Sequence, residues 1–395
     1  MKPSLRCTLL AASLSVGAYA GGQTPIPVHT FLCSGPQGQG VCPSGGTPTS
    51  ITQASDGNFY GTAESTTQEN VGGNSGGAVF SLSPAGDFTV LHKFGPGKQH
   101  NWPDGSNPIF LIEGSDGRLY GETLTGGATN YGALFRLNKD GSGFQLLHSF
   151  CIDCTDGFVL QGLAVGNDGN IYGTTLYGGT GCANCGTIFE FNVATATYKV
   201  VVNFSSTQAN PSSLVVGPDG TLYGFTIRSP YLFHYSEATR KLQSTLLSFP
   251  ANVGPSVPVL PVLGANGHLY GLYENVTTGV GLLELQLNGT IVEAYPALPN
   301  FSLLTSPTSP LVRGGDGNFW MALTAPEEIL TISSTDGSIV QTLTPFSTRS
   351  AVGDYPSYLI SANDGQLWGE TQIDGNTVGS EYGAGVVYSL NPTSP

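Results

Sequence analysis

Short runs in which apolar and polar residues alternate with a period of two recur along the chain. "AVFSLS", "ALFRLN", "TIFEFN", "YLFHYS" and "GLLELQ" all read apolar–variable–apolar, the pattern of a strand with one covered face. The variable residue is Ser81, Arg136, Glu190, His234 or Glu284, which the alternation assigns to a face open to water. Upstream of each run lies an aromatic strand such as "NIYGTTL", and before that an apolar segment such as "LQGLAVG". Asp-Gly or Asn-Gly joins the two, and both residues of such a turn tolerate positive φ, so a hairpin is predicted. A fourth run closes the unit: "TVLHKF", "QLLHSF", "KVVVNF" or "TLLSF".

The unit repeats. Turn glycines fall at Gly57, Gly117, Gly169, Gly220, Gly267, Gly317 and Gly365, never more than about 60 residues apart. Four strands in each of seven repeats predict an all-β fold, a seven-bladed β-propeller with four-stranded blades. The last repeat stops at its third strand, "GVVYSLN", and the missing fourth run stands at the other end of the chain as "PVHTFLC". The N-terminal strand is therefore expected to complete the last blade and close the ring, leaving no open sheet edge. Approximate blades are 50–94, 107–150, 158–204, 211–249, 258–298, 308–346, and 355–390 plus 27–32.

Units of the form "DGNIYGTTLYGGTGCANCGTIFEFN" followed by "VVVNF" resemble the Gloeo/Verruco (GloVer) tandem repeat. The resemblance extends over nearly all of residues 21–395 and is weakest in the fifth and sixth repeats, which lack the Gly-Gly loop. It implies a propeller-type fold and export. It implies no reaction, because the family carries no defined catalytic residues.

Composition fits this reading. The 56 glycines and 26 prolines serve many turns, while 39% hydrophobic and 10% aromatic residues supply a large core. Lys2 and Arg6, an apolar stretch and the Ala18-Tyr19-Ala20 signal predict a secretory signal peptide over residues 1–20, with one propeller domain over 21–395. A net charge of −14 without a basic cluster argues against nucleic-acid or anionic-membrane partners. No stretch is long and apolar enough to predict a membrane span.

In a propeller the Asp-Gly turns lie on one face, and the Gly-rich loops lie on the other with the links between blades. The variable third-strand residues are expected on the Gly-loop face. The recurring Tyr-Gly glycines are expected to make room for an aromatic of the neighbouring blade. Binding is expected on the Gly-loop face, where loops sit on a rigid scaffold. Trp102, Tyr131, Tyr177 and Tyr231 fall there and suit stacking on a glycan or packing on a protein.

Chemical candidates are sparse. The G-x-S-x-G match around Ser75 lies in a loop between strands, the wrong context for a nucleophile elbow. His29, His92 and His148 share one fourth-strand position and read as structural. Only His100 falls in a blade link on the Gly-loop face, where it could serve as a general base. Glu122 and Glu370 share the position after Tyr-Gly. Two such carboxylates could face each other across the ring, as glycoside hydrolysis needs, or could simply accept backbone hydrogen bonds. Asp104, Asp156 and Asp354 recur in blade links and are expected to cap turns.

Once the signal peptide is removed, six cysteines remain. Cys33 and Cys42 follow a fourth strand as Cys151 and Cys154 do, which predicts a Cys33–Cys42 bridge. Cys182 and Cys185 enter the same blade as Cys151 and Cys154. Two C-x2-C pairs are also a zinc pattern, but export favours disulfides, and the pairing among these four stays open. No cofactor or metal is implied. The reading favoured is a secreted, non-enzymatic module that binds extracellular glycan or protein. The alternatives are a polysaccharide lyase or glycosidase working in the central depression, and a structural wall or matrix protein.

Overall fold

The computed structural model describes residues 23–34, 42, 46–64, 76–95, 102–152, 155–182, 184–249, 259–275, 279–295, 310–324, 327–346, 350–373 and 381–392. Residues 1–22, which hold the predicted signal peptide, lie outside that set, as do Ser75, His100 and Cys154.

Seven four-stranded antiparallel sheets follow one another along the chain, at 48–93, 106–149, 158–203, 215–246, 259–294, 312–343, and 354–390 with 26–34. They are numbered here as blades one to seven. In blades one to six the spatial order of strands is the chain order. In blade seven the outermost strand is Ile26–Ser34, which pairs antiparallel with Glu381–Leu390. The first strand of the fold thus fills the outer edge of the last sheet, and the seven-bladed propeller is closed by its own N-terminal strand.

The periodicity that predicts the strands also sets the packing. In the third strand of blade three, Ile188, Phe189 and Phe191 are buried, and hydrophobic clusters form between the faces of successive blades. The Tyr-Gly glycines have a definite task, and it differs from the one expected. A methyl group at Gly61, Gly121, Gly173 or Gly224 would overlap Phe80, Phe135, Phe189 or Phe233 respectively. Each of these rings belongs to the third strand of the same blade, directly opposite in register, and not to a neighbouring blade. The glycine lets an aromatic lie flat across its own sheet.

Neighbouring blades are also joined at the rim. His29, His92 and His148 each stack face to face on an aromatic of the next blade, namely Phe88, Phe144 and Tyr198. The ring centroids are 3.8, 3.7 and 3.6 Å apart. The three histidines at one repeat position therefore act as stacking plates between outer strands.

Candidate functional site

The first strands of the blades surround a central cavity of about 320 Å³. Its wall is mainly apolar and includes Phe110, Pro261 and Tyr358, with Gln161 and Ser213 supplying polar groups. Among the described residues no charged side chain lines it. Most first strands carry a register shift, for example between Leu160 and Leu163 and between Pro356 and Leu359. Near the Gly-loop end, Val159 and Tyr355 adopt φ of 59° and 54°. Left-handed backbone is unfavourable for a β-branched or bulky side chain, so the second residue of each of these two first strands is strained.

Glu122 and Glu370 stand behind this wall and are fully buried. Glu122 pairs in register with Phe110. The Gly162 amide of blade three approaches its carboxyl without reaching hydrogen-bonding geometry. Glu370 lies near Tyr358 and Tyr388 in blade seven. Neither carboxyl accepts a hydrogen bond from a described residue, and burial pushes both well above the usual carboxylate range. Burial thus favours the protonated form of both carboxyls. At the same repeat position, Thr174 donates to the Ser212 carbonyl of the next blade at 2.8 Å. The position points into the seam between blades, which explains why a carboxylic acid there loses its water.

The Gly-loop face carries an aromatic platform. Phe158 opens the first strand of blade three and pairs in register with Tyr177 at the end of the second. Tyr131 approaches from the Gly-rich loop of blade two. Phe158 lies 5.7 Å from the Tyr131 ring and 5.5 Å from the Tyr177 ring. Tyr131 is 37% exposed, and Leu124 and Ile152 on the same face are also exposed. The "TGGATNYG" loop delivers Tyr131. Gly126 and Gly127 both have positive φ, and a methyl at Gly126 would strike the Gly105 backbone. The Asn130 Oδ1 accepts from the Gly126 amide at 3.0 Å, which closes the loop below Tyr131. Glycine in this loop is architecture, and the tyrosine it carries is the surface feature. Phe158 was not singled out in the sequence; its pairing with Tyr177 is a matter of register alone.

Trp102 does not join the platform. Its carbonyl accepts from the Gly105 and Gly127 amides at 3.1 and 2.7 Å, and its ring packs beside Gly76. Tyr231 opens the third strand of blade four and makes no ring contact with a described residue.

Three further expectations are corrected. The variable third-strand residues lie at the Asp-Gly end of the blades and not on the Gly-loop face, and two of them are buried. Glu190 is fully buried and bonds Asn170 of the Asp-Gly turn, and Glu284 is 7% exposed and bonds His268 of the Asn-Gly turn. Asp104 and Asp156 do more than cap turns. Asp156 Oδ2 lies 2.5 Å from His148 Nε2, and Asp104 Oδ2 lies 3.6 Å from His92 Nε2. Each ties a blade link to the stacking histidine of the preceding outer strand. Asp354 sits beside Glu327 of blade six, and that shared contact, with burial second, raises the Glu327 carboxyl to about 7.

Cys33 is bonded to Cys42, and Cys182 to Cys185, as disulfides. Cys151 is also disulfide-bonded. Among the described residues no group of three or more His, Cys, Asp or Glu side chains could hold a metal ion, and no helix is long and apolar enough to cross a membrane.

Fold and face together define a closed seven-bladed propeller with disulfide-pinned links and an aromatic loop surface. Residues 47–283 match the Gloeobacter/Verrucomicrobia repeat, and the chain belongs to that family. The matched span covers the first four repeats and most of the fifth, less than the resemblance implied. No curated protein matches the chain. Among solved structures, a streptogramin B lyase is similar at 18% identity and a TM-score of 0.60, over 91% of this chain and 97% of that one. A catalytically inactive virginiamycin B lyase from Staphylococcus aureus, solved with quinupristin, is similar at 15% identity and a TM-score of 0.57, over 92% and 99%. A periplasmic gluconolactonase from Pseudomonas aeruginosa is similar at 14% identity and a TM-score of 0.54, over 83% and 97%. At these identities the likeness is one of fold.

Proposed function

We propose that the protein is an exported, non-enzymatic binding module that takes an extracellular glycan on the Gly-loop face. The observation that carries this reading is the convergence of exposed Tyr131 with half-buried Phe158 and Tyr177 on one patch between blades two and three. Aromatic faces held by a rigid sheet stack on the apolar face of a sugar ring at little entropic cost. Export is supported by the disulfides, which persist in oxidising compartments, and by the N-terminal sequence. Binding is favoured over hydrolysis because Glu122 and Glu370 stand in separate seams behind the cavity wall, whereas paired glycosidase carboxylates flank the scissile bond.

The test incubates the protein with a panel of soluble and insoluble polysaccharides and follows both its depletion from solution and the release of products. Saturable depletion without product is expected. The Tyr131→Ala, Tyr177→Ala double variant should bind roughly tenfold more weakly, as loss of two stacking contacts implies. Released sugars or unsaturated ends would replace this reading with an enzymatic one. Binding unaffected by the double variant would move the site elsewhere.

A further inference from the structure

The repeat offers an internal comparison on the Asp-Gly face. In each blade one third-strand residue stands opposite an aromatic of the second strand, a tyrosine in blades one to five and a tryptophan in blades six and seven. In blade three that residue is Glu190, opposite Tyr172. Its carboxylate gathers donors from three directions: Asn170 Nδ2 at 3.2 Å, Lys199 Nζ at 3.0 Å, and Arg240 Nη1 at 3.0 Å from a turn of blade four. In blade five the residue is Glu284, opposite Tyr270. It gathers His268 Nδ1 at 2.7 Å, Asn266 Nδ2 at 3.0 Å and the Tyr295 hydroxyl at 2.9 Å.

Blade four keeps the donors and lacks the carboxylate. Its residue opposite Tyr223 is His234, and the register partner of His234 is Gln243, as Lys199 is of Glu190. The slot between blades four and five is an open cavity of about 370 Å³, lined by His234, Gln243, Lys241 and, from the turn of blade five, Asn288. Among the described residues, the side chains of His234, Gln243 and Lys241 have no hydrogen-bond or ion-pair partner. Asn288 uses its Oδ1 on the Thr290 amide, and its NH₂ group bonds none of the described residues. The slot's own carboxylate, Asp219, is engaged by the Thr221 amide and hydroxyl and by the Tyr223 hydroxyl.

The geometry points to a second binding site, in which the slot between blades four and five takes the carboxylate of a uronic acid unit. The ligand carboxylate would sit beside His234, which stands where Glu190 and Glu284 stand in the neighbouring blades, and would face Lys241, Gln243 and Asn288. Lys241 supplies the charge, and Gln243 and Asn288 supply amide donors. Ser236 and Thr239, which also line the slot, offer hydroxyls to the sugar. A uronate suits the site better than an acidic side chain, because the cavity has room for a whole ring and polar groups surround the carboxylate seat. This site is on the opposite face from the aromatic platform and does not depend on it.

The full chain would be titrated with D-glucuronate, D-glucose and N-acetylaspartate, with binding read by calorimetry and by the His234 ring resonances. Glucuronate should bind saturably and shift those resonances, with glucose at least about tenfold weaker. Lys241→Ala should weaken glucuronate by roughly tenfold. His234→Glu installs the missing carboxylate from within the chain and should abolish binding. Gln243→Glu offers the same occupancy from the facing strand should the first variant fold poorly. Lys93→Ala, which removes an exposed positive charge in blade one away from both sites, should leave glucuronate affinity unchanged. Equal binding of glucose and glucuronate, or full affinity in both glutamate variants, would overturn the carboxylate seat. Tighter binding of N-acetylaspartate than of glucuronate would overturn the uronate assignment.

Discussion

His268 Nδ1 lies 2.7 Å from Glu284 Oε1, which joins an Asn-Gly turn to the third strand of its own blade. Burial alone would raise the Glu284 carboxyl, but donors from His268, Tyr295, Tyr270 and Asn266 outweigh it and hold the group below its ordinary value. A carboxylate whose folded pKa is depressed contributes stability above its unfolded value, near 4.5, and loses it as pH falls through the folded pKa. Glu284→Gln should therefore destabilise the protein by about 1 kcal/mol at pH 7. In urea titrations the difference from the parent should shrink toward pH 3.

The two buried glutamates should behave in the opposite sense. Burial raises the carboxyls of Glu122 and Glu370, so folding favours their protonated form. The unfolded chain ionises them above pH 4.5, and native stability is lost as pH climbs toward the folded values. Glu370→Gln keeps the shape and removes the titration. It should gain stability relative to the parent as pH rises from 4 to 8. Chemical denaturation at the two pH values checks this.

His29 is held down to about 4 by desolvation where it stacks on Phe88. A histidine with a lowered folded pKa contributes fully above its unfolded value of 6.5, and that stability drains away as pH falls from 6.5 to about 4. His29→Phe preserves a stacking ring without a titrating nitrogen. Its melting temperature should fall less than the parent's between pH 7 and pH 4.5.

Two glycine substitutions should separate packing from backbone freedom. At Gly173 a methyl would run into the Phe189 ring, so Gly173→Ala should cost about 2–3 kcal/mol. At Gly57, φ is 83° and nothing stands within 4 Å, so Gly57→Ala should cost only about 1 kcal/mol, through backbone strain. Phe189→Leu added to Gly173→Ala should recover part of the loss, and thermal melts of the three variants distinguish the two causes.

Blade number, strand order and ring closure were all legible in the sequence, because each rests on local periodicity repeated seven times. The candidate platform was half legible. Tyr131 and Tyr177 stood out as aromatics in Gly-rich loops, but Phe158 reads as an ordinary strand residue until register sets it against Tyr177. The face assignment of Glu190 and Glu284 was misread, since alternation tells which side of a strand a residue takes but not which end of the blade it approaches.

The sequence by itself determined where strands begin and turn, because alternation and Asp-Gly chemistry act over a few residues. It also determined that the N-terminal strand must find the last blade, since each end of the chain holds what the other lacks. Tertiary structure alone decided which carboxylates are satisfied. Glu190 depends on Arg240, 50 residues away on the next blade, while the buried Glu122 carboxyl accepts no hydrogen bond from a described residue. Burial and hydrogen bonding are set by what neighbouring blades present to each other, and no single repeat contains that information.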